Sequence, residues 1–475
     1  MIAKLYKWHK KLGLWVLIPM ILWTISGVLH PIMGWIKPDI ANRRVHTIPI
    51  TKETDSSLIS TILTKNQLPE IKNIRMVSML NKQYYQVEKP DNTLAYIETQ
   101  THIPLTHGDQ QYAKVLARHF SGEQELPISE ITLLHNFTNT YREINRLLPV
   151  YKVRFENGKD VYVHTPSSRL GTINDRTRII MLYAFNMMHN WDFIWFSKAV
   201  KLTLIIVLAL LSLLTALSGV IFYTAFWKKY KRTIATSRQS KFRKYHRITG
   251  MTISIFMMLF AFSGLYHAFV KFDMVSGPAK RYSKVYDSKT LQFSLTDIVE
   301  KNSHTPVNFR LTSFDQQNFI QVFSAKKKVA YLHLNTRSIE KEGNAKHAFF
   351  LADYFSGLKD AKKNTPQKIA RFSGEYGFIN KRLPVWKIAY KTVQKDTYYV
   401  ETTTDRLASK VDASARREGF SFAFLHKYHY LDFLGKDTRN GIMIVITLMV
   451  AIVSILGLSI YYQKNEKKKT RKKYA

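Results

Sequence analysis

Cysteine is absent from the chain, so it has neither disulfides nor thiolate metal sites, and no haem could be held through thioether bonds. Acidic residues are also scarce: 34 Asp and Glu stand against 71 Lys and Arg, for a formal charge of +37 over 475 residues. There is no Walker-type phosphate loop, no zinc-peptidase His-Glu-x-x-His motif and no Ser-His-Asp arrangement, which leaves those chemistries without their residues. The basic runs are short and flank apolar segments, which argues against nucleic acid as a partner. Apolar sequence is itself limited, since a mean hydropathy of -0.18 allows only a few membrane spans beside large water-soluble parts.

What is present begins with four runs free of Asp and Glu, residues 12–33, 199–226, 248–270 and 441–462. A transmembrane helix needs about 20 such residues. Lysine and arginine crowd the start (Lys4, Lys7, Lys10, Lys11), the link 227–247 (from Lys228 to Arg247) and the tail 463–475. The positive-inside rule places all three in the cytoplasm, both termini included. Residues 34–198 and 271–440 then form two exported domains. The first span, residues 1–33 with its basic start, reads as an uncleaved anchor, because His30-Pro-Ile-Met-Gly-Trp35 follows it where a signal peptide would carry small residues. The cytoplasmic charge also suits anionic lipid headgroups, making the bilayer the first partner.

One stretch recurs. Lys7-Trp8-His9-Lys10-Lys11-Leu12-Gly13 and Ser26-Gly27-Val28-Leu29-His30 return as Lys244-Tyr245-His246-Arg247-Ile248-Thr249-Gly250 and Ser263-Gly264-Leu265-Tyr266-His267. In each copy 21 residues separate the two histidines, a rise of about 31 Å on a continuous helix. The exported domains repeat as well. Residues 83–88 and 94–98 flank Lys89-Pro90-Asp91-Asn92 as a β-hairpin, and 151–155 and 161–163 flank Asn157-Gly158 as another; residues 55–67 and 112–120 read as helices, the latter stopped by Gly122. Ala117, Phe120, Ser121 and Gly122 match Ala352, Phe355, Ser356 and Gly357, 235 residues on. His189-Asn-Trp-Asp192-Phe193 is aligned with His429-Tyr-Leu-Asp432-Phe433. The expected architecture is an α+β membrane protein: four transmembrane helices as two parallel repeats, with two exported α+β domains.

Six histidines thereby fall in three pairs, His9 with His246, His30 with His267 and His189 with His429. Two imidazoles facing each other across a helical bundle are an axial ligand set for b-type haem. A histidine at a membrane interface can equally act as an amphipathic anchor. Asp192 and Asp432 are placed to orient His189 and His429, and Gly13, Gly27, Gly219, Gly250, Gly264 and Gly457 leave room for a macrocycle or for close helix packing. His9 and His246 make the cytoplasmic pair; outside, His30 with His267 is the symmetric choice, with His189 and His429 as neighbours or alternative ligands.

These motifs, His9-x-x-x-Gly13, His246-x-x-x-Gly250, the two Ser-Gly-Val/Leu exits and hairpins such as Val153-Arg-Phe-Glu-Asn-Gly-Lys-Asp-Val-Tyr-Val163, resemble the PepSY-associated transmembrane family. Its members include iron-regulated bacterial inner-membrane siderophore reductases. The resemblance implies PepSY-like exported domains, one or two haem b per chain, and electron transfer across the inner membrane to a ferric siderophore or other ferric chelate in the periplasm. The chain ends soon after the fourth span, so the resemblance implies a separate electron donor: quinol, reduced flavin or a reductase. The alternative is a cofactor-free binding or regulatory protein that displays PepSY-like domains on a four-helix anchor. A small transporter is weaker, since no broken helix with a midplane polar site is evident.

Overall fold

Where the sequence is apolar on every face the chain is helical, and where it alternates it forms sheets. The computed structural model describes residues 2–232, 237–272, 280–372, 374–377, 380 and 382–473. They form an α+β protein of two units, one from Met1–Lys37, Thr177–Val275 and Ser414–Ala475, the other from Pro38–Arg176 and Ser276–Ala413.

The first unit is helical: α1 (Ile2–Trp15), α2 (Leu17–Trp35), α5 (Arg176–His189), α6 (Lys198–Ala225), α7 (Trp227–Arg232), α8 (Arg238–Phe272), α11 (Ala413–Phe420) and α12 (Lys436–Lys473), numbered in chain order. Four stretches are long and apolar enough to cross a membrane, Leu17–Trp35, Lys198–Ala225, Ser240–Phe272 and Lys436–Gln463. The expected first span starting at residue 12 is not one helix, because the chain breaks at Val16 between α1 and α2. Pro19 is the physical reason: it has no N–H to give the Trp15 carbonyl, and its ring crowds that turn. Bonds from Val16 N to Leu12 O (3.0 Å) and from Met20 N to Val16 O (2.9 Å) carry the chain across the kink. His9 and His30 therefore stand on two helices, and the single-helix rise between paired histidines applies only to His246 and His267 on α8. Helix α8 packs on α6 and α12, α2 on α12, and α1 on α6. Ile253, Ile446, Val450 and Val453 are buried at the α8–α12 contact, while Leu204, Val207, Leu210 and Leu214 of α6 stay exposed, as a lipid-facing surface requires.

In the second unit each chain segment runs through a short helix, a three-stranded sheet, a longer helix and a four-stranded sheet. The first segment holds α3 (Ile59–Lys65), β1 (Glu70–Ile71), β2 (Asn73–Met79), β3 (Lys82–Glu88), β4 (Leu94–Glu98), α4 (Gly108–Ser121), β5 (Ile128–Leu134), β6 (Val150–Phe155), β7 (Asp160–His164) and β8 (Arg169–Asn174). The second holds β9 (Tyr286–Asp287), α9 (Leu295–Glu300), β10 (Pro306–Phe314), β11 (Gln317–Ser324), β12 (Val329–His333), α10 (Gly343–Ser356), β13 (Gln367–Ile369), β14 (Val385–Ala389), β15 (Thr397–Glu401) and β16 (Arg406–Val411). Sheets run β2-β3-β4, β5-β6-β7-β8, β10-β11-β12 and β13-β14-β15-β16, all antiparallel, with β1 paired to β9. Both expected hairpins are present as β3–β4 and β6–β7, the first turning through Asn92 at φ 67° with its N–H on the Lys89 carbonyl (2.9 Å). Gly122 ends α4 at φ +77°, a conformation that favours glycine.

The two segments share one core. Ile74, Tyr85 and Ile97 of the first pack with Phe309, Ile320 and Leu332 of the second, and burying each such side chain contributes about 1.5–3 kcal/mol. Strands β2 and β10 are joined by side-chain amides in place of a backbone ladder. Asn73 bonds Leu311 through both amide atoms, Nδ2 to O and N to Oδ1 at 3.1 Å each. Asn308 answers on Met76, taking its N–H at 2.9 Å and giving Nδ2–H to its carbonyl at 3.0 Å. Replacing Asn308 by Ala would leave both backbone groups of Met76 without partners; a loss of about 1–3 kcal/mol is expected in denaturant unfolding, and a loss near zero would mean the clip holds nothing.

Buried ion pairs tie the four-stranded sheets. Burial alone would raise the Glu401 carboxyl, but the guanidiniums of Arg169 and Arg382 outweigh it and hold the group at about 2, against an ordinary 4.5. Burial would likewise raise Asp405, and Arg310 with His347 outweighs it, keeping the carboxyl below its ordinary 3.8. Both folded values lie below the unfolded ones, so their stabilisation is complete above about pH 4.5 and is lost as pH falls through the folded values. Unfolding free energy of this unit, followed by hydrogen exchange at β15, is expected to hold from pH 7 to about 5 and to fall steeply toward pH 2; a flat profile would contradict these pairings.

Candidate functional site

The helical unit brings four of its histidines into two facing pairs. His9 on α1 and His246 on α8 have ring centroids 6.4 Å apart with planes at 57°. His189, at the end of α5, and His426, at the end of the single π-helical turn Ser421–His426, are also 6.4 Å apart, with planes at 82°. Two metal–imidazole bonds of about 2 Å, plus roughly 1.1 Å from each ligating nitrogen to its ring centre, require about 6.2 Å between centroids. Both pairs have the spacing of axial ligands on one metal.

The hydrogen bonds decide which nitrogen is available. His9 Nδ1 lies 3.1 Å from the Thr215 carbonyl and 2.9 Å from Ser218 Oγ, and Ser218 spends its own proton on the Thr215 carbonyl. His246 Nδ1 lies 3.0 Å from the Val453 carbonyl. His189 Nδ1 meets Ser26 Oγ at 3.0 Å and His426 Nδ1 meets Ser263 Oγ at 3.0 Å. Ser26 donates to the Trp23 carbonyl and Ser263 to the carbonyls of Leu259 and Phe260. Each acceptor is a carbonyl or a hydroxyl whose proton is already engaged, so Nδ1 carries the imidazole proton in all four rings. Nε2 is left with its lone pair, the state a metal needs.

Two glycines abut the first pair. A Cβ on Gly219 would stand 3.1 Å from His9 Cε1, and one on Gly457 would stand 3.2 Å from His246 Cε1. The remaining glycines singled out in the spans do other things: Gly27 abuts Thr447 at 3.1 Å, Gly13 and Gly250 have ordinary contacts at 3.9 and 3.8 Å, and Gly264 faces open space.

His30 and His267 stand one ring outside the second pair. His30 lies 5.6 Å from Phe185, which stacks on His189 at 4.8 Å; His267 lies 4.5 Å from Phe422, which stacks on His426 at 5.0 Å. His267 Nδ1 is bonded to Glu418. His189 lies within electrostatic range of His30, His267, Lys271 and Lys427, and His426 within range of His189, His30, His267 and Lys427. His429 is elsewhere: its Nδ1 lies 2.8 Å from Asp432 Oδ2 and 2.7 Å from Arg439 Nη1, and bonds one or the other according to its tautomer. Asp432 thus contacts the ring it was expected to orient, whereas Asp192 pairs with Lys201 at 2.9 Å.

Sequence reasoning sets His426 aside as an extra histidine whose counterpart is Asn186, whereas the structure puts it opposite His189. His9 to His246 and His30 to His267 are both steps of 237, and the same step from His189 lands on His426, not His429. The structure agrees with that register: Ser26–His189 and Ser263–His426 are both separated by 163 residues, and Trp191 and Tyr428, each two residues on, share a left-handed backbone at φ 57° and 50°.

Among the described residues no group of three or more His, Asp or Glu gathers as a metal site. Two imidazoles suit a metal that brings its other ligands, as haem iron does, so the residues present fit haem b at both pairs. The buried hydroxyl of Tyr428 has no hydrogen-bond partner, and Phe260 touches both its ring and that of His426. Gly219→Val and Gly457→Val are expected to remove haem from the first pair, read as loss of one component of the reduced-minus-oxidised spectrum, while Gly13→Ala leaves it intact; equal spectra for all three would separate these glycines from the site.

No curated protein matches the chain. Residues 76–464 match the PepSY-associated TM region, which is most of the chain. With four membrane-length helices and a family match of that extent, the protein is a membrane protein of the PepSY-associated TM family.

Proposed function

We propose that the protein is a haem b-dependent membrane oxidoreductase that carries single electrons across the bacterial inner membrane to a ferric siderophore or similar ferric chelate. The observation that carries this reading is the recurrence of one arrangement: two imidazole pairs at 6.4 Å, every Nδ1 tied to an acceptor. The chain is read as a tandem duplication, its halves parallel copies with PepSY-like exported domains. The basic segments keep both termini and the His9–His246 pair at the cytoplasmic side, and the His189–His426 pair at the periplasmic side. Along α8, His246 and Ser263, which bonds His426, are 17 residues apart, a rise of about 25 Å. That is most of a hydrocarbon core of about 30 Å.

Haem b, when bound, supplies a one-electron iron couple. The protein's part is to hold and tune. Thr215, Ser218 and Val453 fix the His9 and His246 rings, and Ser26 and Ser263 fix His189 and His426; each acceptor on Nδ1–H also makes Nε2 a better donor to metal. Lys271 and Lys427 put positive charge beside the second pair, where an anionic ferric chelate is drawn in. The substrate takes one electron from the separate donor, a quinol, a reduced flavin or a reductase, and ferric iron becomes ferrous. Hard oxygen ligands hold the ferrous ion less tightly and release it. No proton transfer or covalent step is required of the chain.

The test is spectroscopic. Detergent-purified protein reduced with dithionite is expected to show a sharp b-type α-band that collapses when a ferric chelate is added, with ferrous iron appearing in a chromogenic chelator. Fully folded protein that stays colourless after haem supplementation would overturn the reading and leave the binding-protein alternative.

A further inference from the structure

The sheet-bearing unit has an open edge that the electron-transfer reading does not use. Strand β5 ends its sheet and, among the described residues, pairs with β6 alone. Phe155 gives its N–H to the Lys159 carbonyl at 3.0 Å and so faces β7, and alternation along β6 then turns Lys152 and Arg154 toward β5. Thr132, opposite Lys152, therefore bonds β6, whereas the backbone groups of Ile131 and Leu133 point outward. The register shift of this pair lies between Ile128 and Glu130, so the row from Ile131 onward is regular. Such a row is a template for one more strand.

A groove of about 440 Å³ lies between this edge and helix α4, with Lys114 and Arg118 on the helix wall and Ser129, Glu130 and Ile131 on the strand wall. Gln110 lines it too and is shared with a second hollow of about 450 Å³ beside Leu94 and Tyr151. The depression thus follows α4 from Gln110 to Arg118, about 12 Å, a length that suits an extended chain. Its charge is positive. Glu130 has Lys152 at 3.7 Å and Arg154 at 3.5 Å, and the Glu123 carboxylate is taken by Lys159. Arg118 gives Nη1–H to the backbone carbonyls of Glu123 and Gln124, and Lys114 is exposed. Among the described residues neither of these two cations meets a carboxylate.

The second segment fills the same place from within. Lys114, Arg118 and Ile128 correspond to Phe349, Asp353 and Lys363, 235 residues on, and the bridge between Lys363 and Tyr390 repeats the pairing of Ile128 with Phe155. There the Lys363 ammonium bonds both oxygens of Asp353, Oδ1 at 2.6 Å, and lies 5.3 Å from the Phe349 ring centroid. A cation and an anion of the chain meet where the first segment presents two cations.

We propose that β5 and α4 bind an extended acidic segment of another protein, which adds a strand to β5 and sets carboxylates against Lys114 and Arg118. Backbone bonds to Ile131 and Leu133 supply affinity for any extended chain, and the two cations select acidic side chains.

Fluorescence anisotropy of a labelled peptide of alternating valine and glutamate, titrated with the detergent-purified full chain at fixed ionic strength, tests this. One saturable site is expected. Lys114→Glu is expected to weaken binding at least about tenfold, whereas Lys326→Glu, the same charge change on the exposed β11–β12 turn, leaves it unchanged. Leu133→Pro removes an N–H that the sheet does not use and is expected to weaken binding about tenfold. Should L133P fail to fold, hydrogen exchange of the wild type reads the same contact, with the Ile131 and Leu133 amides slowed when peptide is bound. Absence of saturable binding, equal affinities in K114E and K326E, undiminished binding to L133P, or amides of Ile131 and Leu133 that the peptide leaves unprotected would each overturn the proposal.

Discussion

An imidazole nitrogen cannot hold a proton and a metal at once, and the proposed haem sites of the helical unit depend on that constraint. Each of the four facing rings gives its Nδ1–H to a fixed acceptor: a helix carbonyl for His9 and His246, a serine oxygen for His189 and His426. The serines can accept because each has already donated to its own helix backbone. One hydrogen bond per ring thus fixes the tautomer and restrains the ring, leaving Nε2 unprotonated in rings whose centroids are 6.4 Å apart. A helical bundle that lacked these acceptors would still pack, but its histidines would be free to titrate and turn.

Much of this was legible in the sequence, for reasons that differ by residue. The spans could be read because apolar side chains cover every face of each helix, and the hairpins because Asn92 and Gly158 take up the turn. Strand β5 could not, since its edge position leaves Ser129, Glu130 and Leu133 exposed and blurs the alternation. The kink at Val16 was available in Pro19, whose missing N–H speaks for itself once the residue four before it is considered. His246 was found because repeat spacing and local motif agree. His426 was set against Asn186 because Asp432 and Phe433 resemble Asp192 and Phe193 and drew the alignment three residues too far. The serines at equal sequence distance from His189 and His426 hold the correct register. Thr215 and Val453 had no signal to offer, since they act through backbone carbonyls that every residue possesses.

The sheet-bearing unit solves a different problem, joining two similar segments without a continuous sheet. Apolar burial supplies most of the adhesion and Asn73 and Asn308 supply the register. Charge then distinguishes the segments: Arg310 bonds the Asp405 carboxylate, where the matching Arg75 bonds the neutral Ser168, Gln86 and the Thr165 carbonyl. Segments alike in backbone have thereby become unlike in electrostatics.

The central claim is that the metal sites are His9 with His246 and His189 with His426. A pyridine haemochrome count on His426→Ala beside His429→Ala tests it most directly. The account predicts about two haems per wild-type chain, about one in H426A and two in H429A. Full haem content in H426A with a loss in H429A would contradict it.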